Sequence, residues 1–345
     1  MRISTLFSIV FIFLEFGTAL GQEREKLFDS NVPISMKMSF SIKELKAKTN
    51  DSTYMDTEIA VESAPGSWET YPFEVRTRGN FRLQNCFYPP MRIKLKKDDA
   101  KGTIFQGNRN LKLVLPCSKS KTADNFLGKE YLAYQLFEQV TEYTFETRLV
   151  KVELTNLDDK KAEPVTLLGI LIEDDDEVAK RFKGEIVNKK IPPNIMEDYA
   201  TVRHDLFQLM IGNTDWSGLY QHNQKVMVIG EKTIIPLAYD FDMTGLVNPP
   251  YAQVNSAVGI ERVTDRMYRG FCRDKSIFEA VRAEFLEKEP AIFQTIEDTK
   301  GYFSDTDAKA ARAFVKEFYD ILKNDKLFQL KVVDSCRKLD GTYSF

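Results

Sequence analysis

The hydrophobic period of the chain first changes near residue 120, and this change limits the fold more than any other feature. Before it, Ile34-Ser-Met-Lys-Met-Ser-Phe-Ser-Ile42 alternates apolar and polar residues, as does Met91-Arg-Ile-Lys-Leu-Lys96, which puts Arg92, Lys94 and Lys96 on one face. Residues 58–62, 71–77 and 111–115 read as further strands, with turns at Ala64-Pro65-Gly66 and Gly107-Asn108. After it, Asp124 is placed to cap a helix running to about Val140, in which Leu127, Tyr131, Tyr134 and Phe137 recur at helical spacing. Strands at 148–154 and 167–173 come next, then a helix over about 196–211 and two short strands at 225–229 and 233–237. From Lys275 onward the pattern is amphipathic and charged, with helix breaks expected near Pro290 and residues 301–305. The fold class is therefore α+β, β-rich first and mostly helical afterwards.

Residues 1–21 are of a different kind. Arg2 supplies a positive start, residues 6–16 are apolar except for Ser8 and Glu15, and Ala19-Leu20-Gly21 sets small residues before a cut ahead of Gln22. They read as a secretory signal peptide, so the mature chain is expected outside the cell, in the periplasm or in the envelope. No later apolar run is long enough to span a membrane. The expected organisation is a leader (1–21), a β-rich part with one central helix (22–145), and a part of hairpin strands followed by helices (146–345).

An exported chain with four cysteines has disulfides open to it. Cys86 with Cys117 and Cys272 with Cys336 is one of three possible pairings. With 48 Lys and Arg against 51 Asp and Glu, the net charge is −3, so there is no general basic field to hold nucleic acid. Two histidines, His204 and His222, exclude a three-histidine zinc centre. Chemistry must then lean on carboxylates, lysine and asparagine.

The densest polar group is Gly212-Asn-Thr-Asp215-Trp-Ser-Gly-Leu-Tyr-Gln-His222-Asn223, followed by a hairpin and Tyr239-Asp240-Phe241-Asp242. An Asp and an Asn in one loop, with an acidic pair after the hairpin, suit a divalent cation held against phosphate oxygens while Asp215 orients an attacking hydroxyl. Upstream, Arg76-Thr-Arg78-Gly-Asn80-Phe-Arg82 gathers three arginines around a turn, a layout suited to anions. Lys94 or Lys112, each on a strand, could pair with Glu130 in the following helix to fix a phosphate-contacting ammonium. The Asp174-Asp-Asp-Glu177 run reads as a solvated turn.

These segments, in this order, resemble the spore-coat CotH-type family of secreted, atypical kinase-like proteins over about residues 75–245. The matching pieces are Arg78-Gly-Asn80, Arg92-Ile-Lys94-Leu, Leu111-Lys-Leu-Val-Leu115, Lys129-Glu-Tyr-Leu-Ala-Tyr134, Leu168-Gly-Ile-Leu-Ile-Glu173, Gly212-Asn-Thr-Asp215, His222-Asn223 and Tyr239-Asp-Phe-Asp242. The resemblance implies a two-lobed kinase-like fold and ATP, or another nucleoside triphosphate, with Mg²⁺ or Mn²⁺. It makes Asp215 the catalytic aspartate, Asn223, Asp240 and Asp242 the metal ligands, Lys94 (or Lys112) the phosphate contact and Glu130 its partner. Arg78 stands in for a glycine-rich loop, and Glu173 would lie near the adenine. The acceptor would be a hydroxyl of a protein or glycan. Two other readings remain at this level: an inactive kinase-like binding or assembly protein of the envelope, and a carbohydrate-active enzyme using Asp215 with Asp240 or Asp242, its sugar stacked on Trp216 and Tyr220.

Overall fold

Strand β1 (Ile34–Phe40) buries Ile34, Met36, Met38 and Phe40 and turns the intervening residues outward, as its alternation predicts. The computed structural model describes residues 26–254 and 258–338; the expected leader, residues 1–21, lies outside them. After the short helix α1 (Ile42–Lys48), a hairpin of β2 (Met55–Ala64) and β3 (Ser67–Thr77) follows, turning at Gly66 with φ +78°. Then come the short helix α2 (Phe81–Asn85), β4 (Met91–Leu95), the helical turn α3 (Lys97–Ala100) and β5 (Asn110–Val114). With β6 (Thr147–Asn156) and β7 (Val165–Glu173), these strands form a closed barrel in the order β1-β2-β3-β4-β5-β7-β6.

The barrel closes through a parallel pairing of β1 with β6, in register from Ile34 against Val150 to Phe40 against Asn156; the other neighbours are antiparallel. The sequence assigned the β6–β7 hairpin to the C-terminal part. It belongs instead to the barrel, because both strands bury apolar residues: Val150, Val152 and Leu171 enter the barrel interior with Met36, Phe73, Ile93 and Leu113. A closed seven-strand barrel is not the lobe of a kinase-like fold, so the architecture agrees with the sequence at the level of α+β, β-rich before helical.

Helix α4 (Ala123–Val140) lies between the barrel and the helices. Thr122 is its N-cap, while Asp124 sits in the first turn and accepts the Leu168 N–H at 3.3 Å, so the expected cap is displaced by two residues. Close approach is built into this helix: a Cβ at Gly128 would lie 2.3 Å from the Tyr302 carbonyl oxygen. Helices α5 (Asp175–Arg181), α6 (Asp198–Met210), α7 (Lys275–Thr299) and α8 (Asp305–Lys323) complete this half. A small antiparallel sheet joins them, formed by β8 (Gly184–Ile186), β9 (Gln224–Ile229) and β10 (Thr233–Ala238) in the order β10-β9-β8.

Leu132 and Phe137 of α4 pack with Phe207, Phe278, Val315 and Phe318 in a second core. Pro290 was expected to break the last helical stretch. Helix α7 instead runs through it, and the break falls at residues 300–304. An interior proline costs a helix roughly 3 kcal/mol. Burial of Ile292 and Ile296 beyond it opposes that cost, at about 1.5–3 kcal/mol for each large aliphatic side chain.

The disulfides are Cys86–Cys117, tying the end of α2 to the segment after β5, and Cys272–Cys336, tying the start of the last helical region to its end. Such bonds persist in oxidising compartments. No helix among the described residues is long and apolar enough to cross a membrane.

Candidate active-site cleft

Three separated stretches of sequence meet at one cleft of about 480 Å³, lined by Arg78, Arg82, Asp215, Asn223, Asp240 and Asp242 among others. One wall is the barrel rim. After β3, the chain turns at Gly79 with φ +74°, and α2 then carries Arg82 inward. Arg78 faces the cleft, and among the described residues it forms no ion pair.

The other wall is the loop after α6 together with the end of β10. Asn213 accepts the Asp215 N–H at 2.9 Å, an Asx-type turn that fixes the start of the loop. Seven residues later His222 Nε2 lies 3.2 Å from Asp215 Oδ1, and Asn223 Nδ2 donates to Asp215 Oδ2 at 3.1 Å and to its carbonyl at 2.6 Å. A backbone bridge between Ser217 and His222 closes the loop. The eight-residue interval from Asp215 to Asn223 is therefore spanned by an ordered turn, with Gln221 and Asn223 both at φ +51°. Asp240 lies two residues beyond β10 at φ +64°, its N–H donating to Tyr134 Oη of α4 at 3.0 Å. Left-handed backbone at non-glycine residues is uncommon, costs on the order of 1–3 kcal/mol and clusters where function constrains the chain.

Hydrogen bonding to Asp215 is the main cause holding the His222 imidazole above its ordinary value of 6.5. Deeper in, Arg82 Nη1 lies 3.2 Å from Glu130 Oε2 and 3.7 Å from Asp242 Oδ2, and its Nη2 donates to the Leu115 carbonyl at 2.8 Å. Tyr251 Oη donates to Asp242 Oδ2 at 3.3 Å. Two carboxyls thus share one guanidinium away from water. Burial pushes Glu130 up to about 8, opposed by Arg82. Burial, then the neighbouring Asp240, pushes Asp242 up to about 6.

The structure brings together Asp215, Asn223, Asp240, Asp242 and Arg78 but not the other expected contacts. Lys94 projects from the barrel, 3.2 Å from Glu74 and 5.5 Å from the centre of the Tyr54 ring, and does not line the cleft. Lys112 is buried beside the cleft wall, with its Nζ 4.4 Å from the Phe145 ring centre and 5.5 Å from that of Tyr239. It pairs with Asp175 rather than Glu130, and burial lowers its pKa against the pull of Asp175.

Glu130 finds Arg82 as its partner because α2 delivers that arginine to the buried face of α4. Glu173 is buried and bonded by Arg181 Nε at 3.0 Å and Nη2 at 2.8 Å, fastening β7 to α5 away from the cleft. The acidic run after it is not a solvated turn. Asp174 is buried, caps α5 and lies 2.8 Å from Arg92, while Asp175 bridges Lys112 and Lys225.

Sequence reasoning counted Arg82 only among three arginines suited to anions, not as the partner of buried carboxyls, and left Tyr134 and Tyr251 without roles in the cleft. The signal for Arg82 was present: it follows Arg78 by four residues in the arginine-rich turn. Tyr134 appeared only as an apolar position of α4, and nothing local marks Tyr251.

No three His, Cys, Asp or Glu side chains among the described residues are grouped closely enough to hold a metal. Mg²⁺ seldom requires such a cage; one or two carboxylates plus substrate phosphate oxygens suffice. Asn223 spends its amide N–H groups on Asp215, which leaves its Oδ1 to act as a hard oxygen donor beside Asp240 and Asp242. The donor chemistry fits such an ion. The chain matches no family model and no curated protein.

Proposed function

We propose that this cleft transfers the γ-phosphoryl group of ATP, or of another nucleoside triphosphate, to a hydroxyl of a protein or glycan acceptor in an exported protein. One observation carries this reading: Arg78, from the barrel rim, and Asp215, Asn223, Asp240 and Asp242, from a stretch more than a hundred residues later, line a single cleft. The kinase-like resemblance enters through this cleft and its residue order, not through the barrel.

Asp240 and Asn223 Oδ1 would hold Mg²⁺ or Mn²⁺ with Asp242 behind them. When bound, that ion supplies charge neutralisation for phosphate oxygens. Arg78, which forms no ion pair among the described residues, binds the anionic donor by charge-assisted hydrogen bonds. Asn223 and His222 fix the orientation of Asp215. Asp215 takes the acceptor's hydroxyl proton as the acceptor oxygen bonds to the γ-phosphorus and the bridging P–O bond breaks, releasing the nucleoside diphosphate. Below the raised pKa of His222, the imidazolium pairs with Asp215 and weakens it as a base, so the rate rises with pH through that value.

Two observations weigh against the two-carboxylate sugar hydrolase. Asp242, the carboxyl with the raised pKa, is buried and engaged by Arg82 and Tyr251, so it cannot reach a leaving oxygen. Trp216 is turned into the core against His204 at 4.8 Å between ring centres, leaving only Tyr220 exposed.

The test is thermal unfolding with and without Mg²⁺-ATP. Ligand at a hundredfold excess over Kd stabilises by about 2.7 kcal/mol, a rise of about 4 °C for a chain of this size. Asp240→Ala should abolish the rise. No shift with ATP or GTP and either metal, or an equal shift in Asp240→Ala, overturns the reading.

A further inference from the structure

Arg82 lines two hollows: the cleft, and a pocket of about 430 Å³ in which Glu130 also stands. Phe87, Phe126, Leu127 and Tyr251 give this pocket aromatic and aliphatic walls, together with Pro116 and Pro250. Apolar walls with a few convergent polar groups, at this volume, are the usual form of a small-molecule site.

The frame of the pocket is fixed at several points. The Cys86–Cys117 disulfide joins the end of α2 to the segment after β5, and beside it the Phe87 N–H donates to the Cys117 carbonyl at 2.8 Å. Arg82 Nη2 holds the Leu115 carbonyl of the same segment at 2.8 Å. Phe126 and Leu127 come from the start of α4, whose Glu130 meets Arg82 from the facing wall. A ligand entering so constrained a space orders little of the protein as it binds.

Two polar atoms here are unmet. Glu130 Oε2 accepts from Arg82 Nη1 at 3.2 Å, while Glu130 Oε1 and Arg82 Nε have no hydrogen-bond partner among the described residues. Both side chains are more than nine-tenths buried, and buried polar groups are almost always bonded. Arg82 Nε carries a hydrogen. Because Arg82 already occupies Oε2, and burial keeps the Glu130 carboxyl protonated, the Glu130 proton belongs on Oε1. Two donors are therefore unmet, and both belong to residues that line the pocket.

Charge narrows what can meet them. Arg82 and Glu130 are the only charged side chains among the described lining residues, and Asp242 Oδ2 lies 3.7 Å from the same guanidinium. An anionic ligand would set a third acidic group against one cation. An ammonium ligand would bring donors to donors. One uncharged carbonyl oxygen, with two lone pairs, satisfies both.

We infer that this pocket binds a small uncharged aromatic molecule bearing a carbonyl, such as an aromatic carboxamide, whose oxygen accepts from Arg82 Nε and Glu130 Oε1. The ring lies among Phe87, Phe126 and Tyr251, where edge and face contacts are available. The site stands whether or not the cleft transfers phosphate.

The probes are 2-naphthamide, 2-naphthoate and 2-naphthylmethylamine, titrated by calorimetry at pH 7 into the disulfide-bonded chain without nucleotide. The amide should bind, and the acid and the amine should each bind at least roughly tenfold more weakly, the scale of one charge-assisted hydrogen bond. Glu130→Gln keeps a donor in place of Oε1 and should retain the amide's affinity within about twofold, whereas Glu130→Leu should lose roughly tenfold. Phe126→Ala removes a half-buried wall and should weaken binding several-fold; it carries the test if Glu130→Leu does not fold. No binding of the amide overturns the inference, as does equal or tighter binding of the acid or the amine. So does unchanged affinity in Phe126→Ala, or a loss in Glu130→Gln as large as in Glu130→Leu.

Discussion

Replacing Glu130 by Gln tests whether the buried Arg82–Glu130–Asp242 cluster is arranged as described. Glu130 is 2% exposed, its Oε2 is 3.2 Å from Arg82, and its Oε1 has no hydrogen-bond partner. Burial raises its carboxyl from 4.5 to about 8, so between those values the native chain binds a proton that the unfolded chain releases. Native stability then falls as pH rises through this window. At about 1.4 kcal/mol per pH unit, the loss attributable to Glu130 is on the order of 4 kcal/mol by pH 8. Glutamine has the shape of the protonated acid and does not titrate.

Urea unfolding followed by far-UV circular dichroism from pH 5 to pH 8.5, disulfides intact, should show Glu130→Gln no more stable than the parent at the acid end. It should gain on the parent steadily towards the alkaline end. Parallel profiles refute the reasoning. So does a variant that loses ground with rising pH, since Glu130 would then be an ionised partner that Arg82 stabilises.

Three other perturbations have definite outcomes. Asp215→Asn removes the hydrogen bond that raises His222, so its titration, followed by proton NMR on a chain with only two histidines, should move down towards 6.5; an unchanged midpoint would show that the contact is absent in solution. Because that pKa is raised in the native chain, the stabilisation is present below 6.5 and disappears as pH climbs through the native value, so Asp215→Asn should cost stability at pH 5.5 and little at pH 9. Gly128→Ala drives a methyl group onto the Tyr302 carbonyl and should destabilise by about 1–3 kcal/mol in urea, with a neutral result contradicting the close approach of α4. Lys94→Ala should leave nucleotide binding within twofold of the parent, because Lys94 pairs with Glu74 outside the cleft; a tenfold loss would restore it as a phosphate contact.

Local pattern was enough for the strands. The alternation at residues 34–40 and 91–95 gave the buried faces of β1 and β4 correctly, and α6 begins and ends within two residues of its expected limits. Barrel closure was not legible, because the parallel β1–β6 contact joins residues more than a hundred positions apart and leaves no local period. The same gap misplaced the β6–β7 hairpin. Pro290 was read by its local cost alone, while the apolar face beyond it decided the matter.

At the cleft, Asp215, Asn223, Asp240 and Asp242 were legible because loop, hairpin and strand end set their separation within one short stretch. The lysines were not. Arg92, Lys94 and Lys112 occupy one face of adjacent strands, with Arg92 opposite Lys112, and only the packing of α5 and Tyr239 decides which is covered. Glu130 was placed on the right helix with the wrong cation, since Arg82 reaches it through a turn whose path the sequence leaves open.

The most direct measurement of the central claim is ³¹P NMR of ATP with Mg²⁺ and the disulfide-bonded chain, a serine-containing peptide present as acceptor. The account predicts that the γ-phosphate signal is lost as ADP and a new phosphoester signal appear, and that Asp215→Asn and Asp240→Ala each suppress this by at least roughly a hundredfold, the usual scale for a positioned base or metal-binding carboxylate. Unchanged ATP in the presence of demonstrated nucleotide binding, or equal conversion by Asp215→Asn, would contradict it and leave a cleft that binds without transferring.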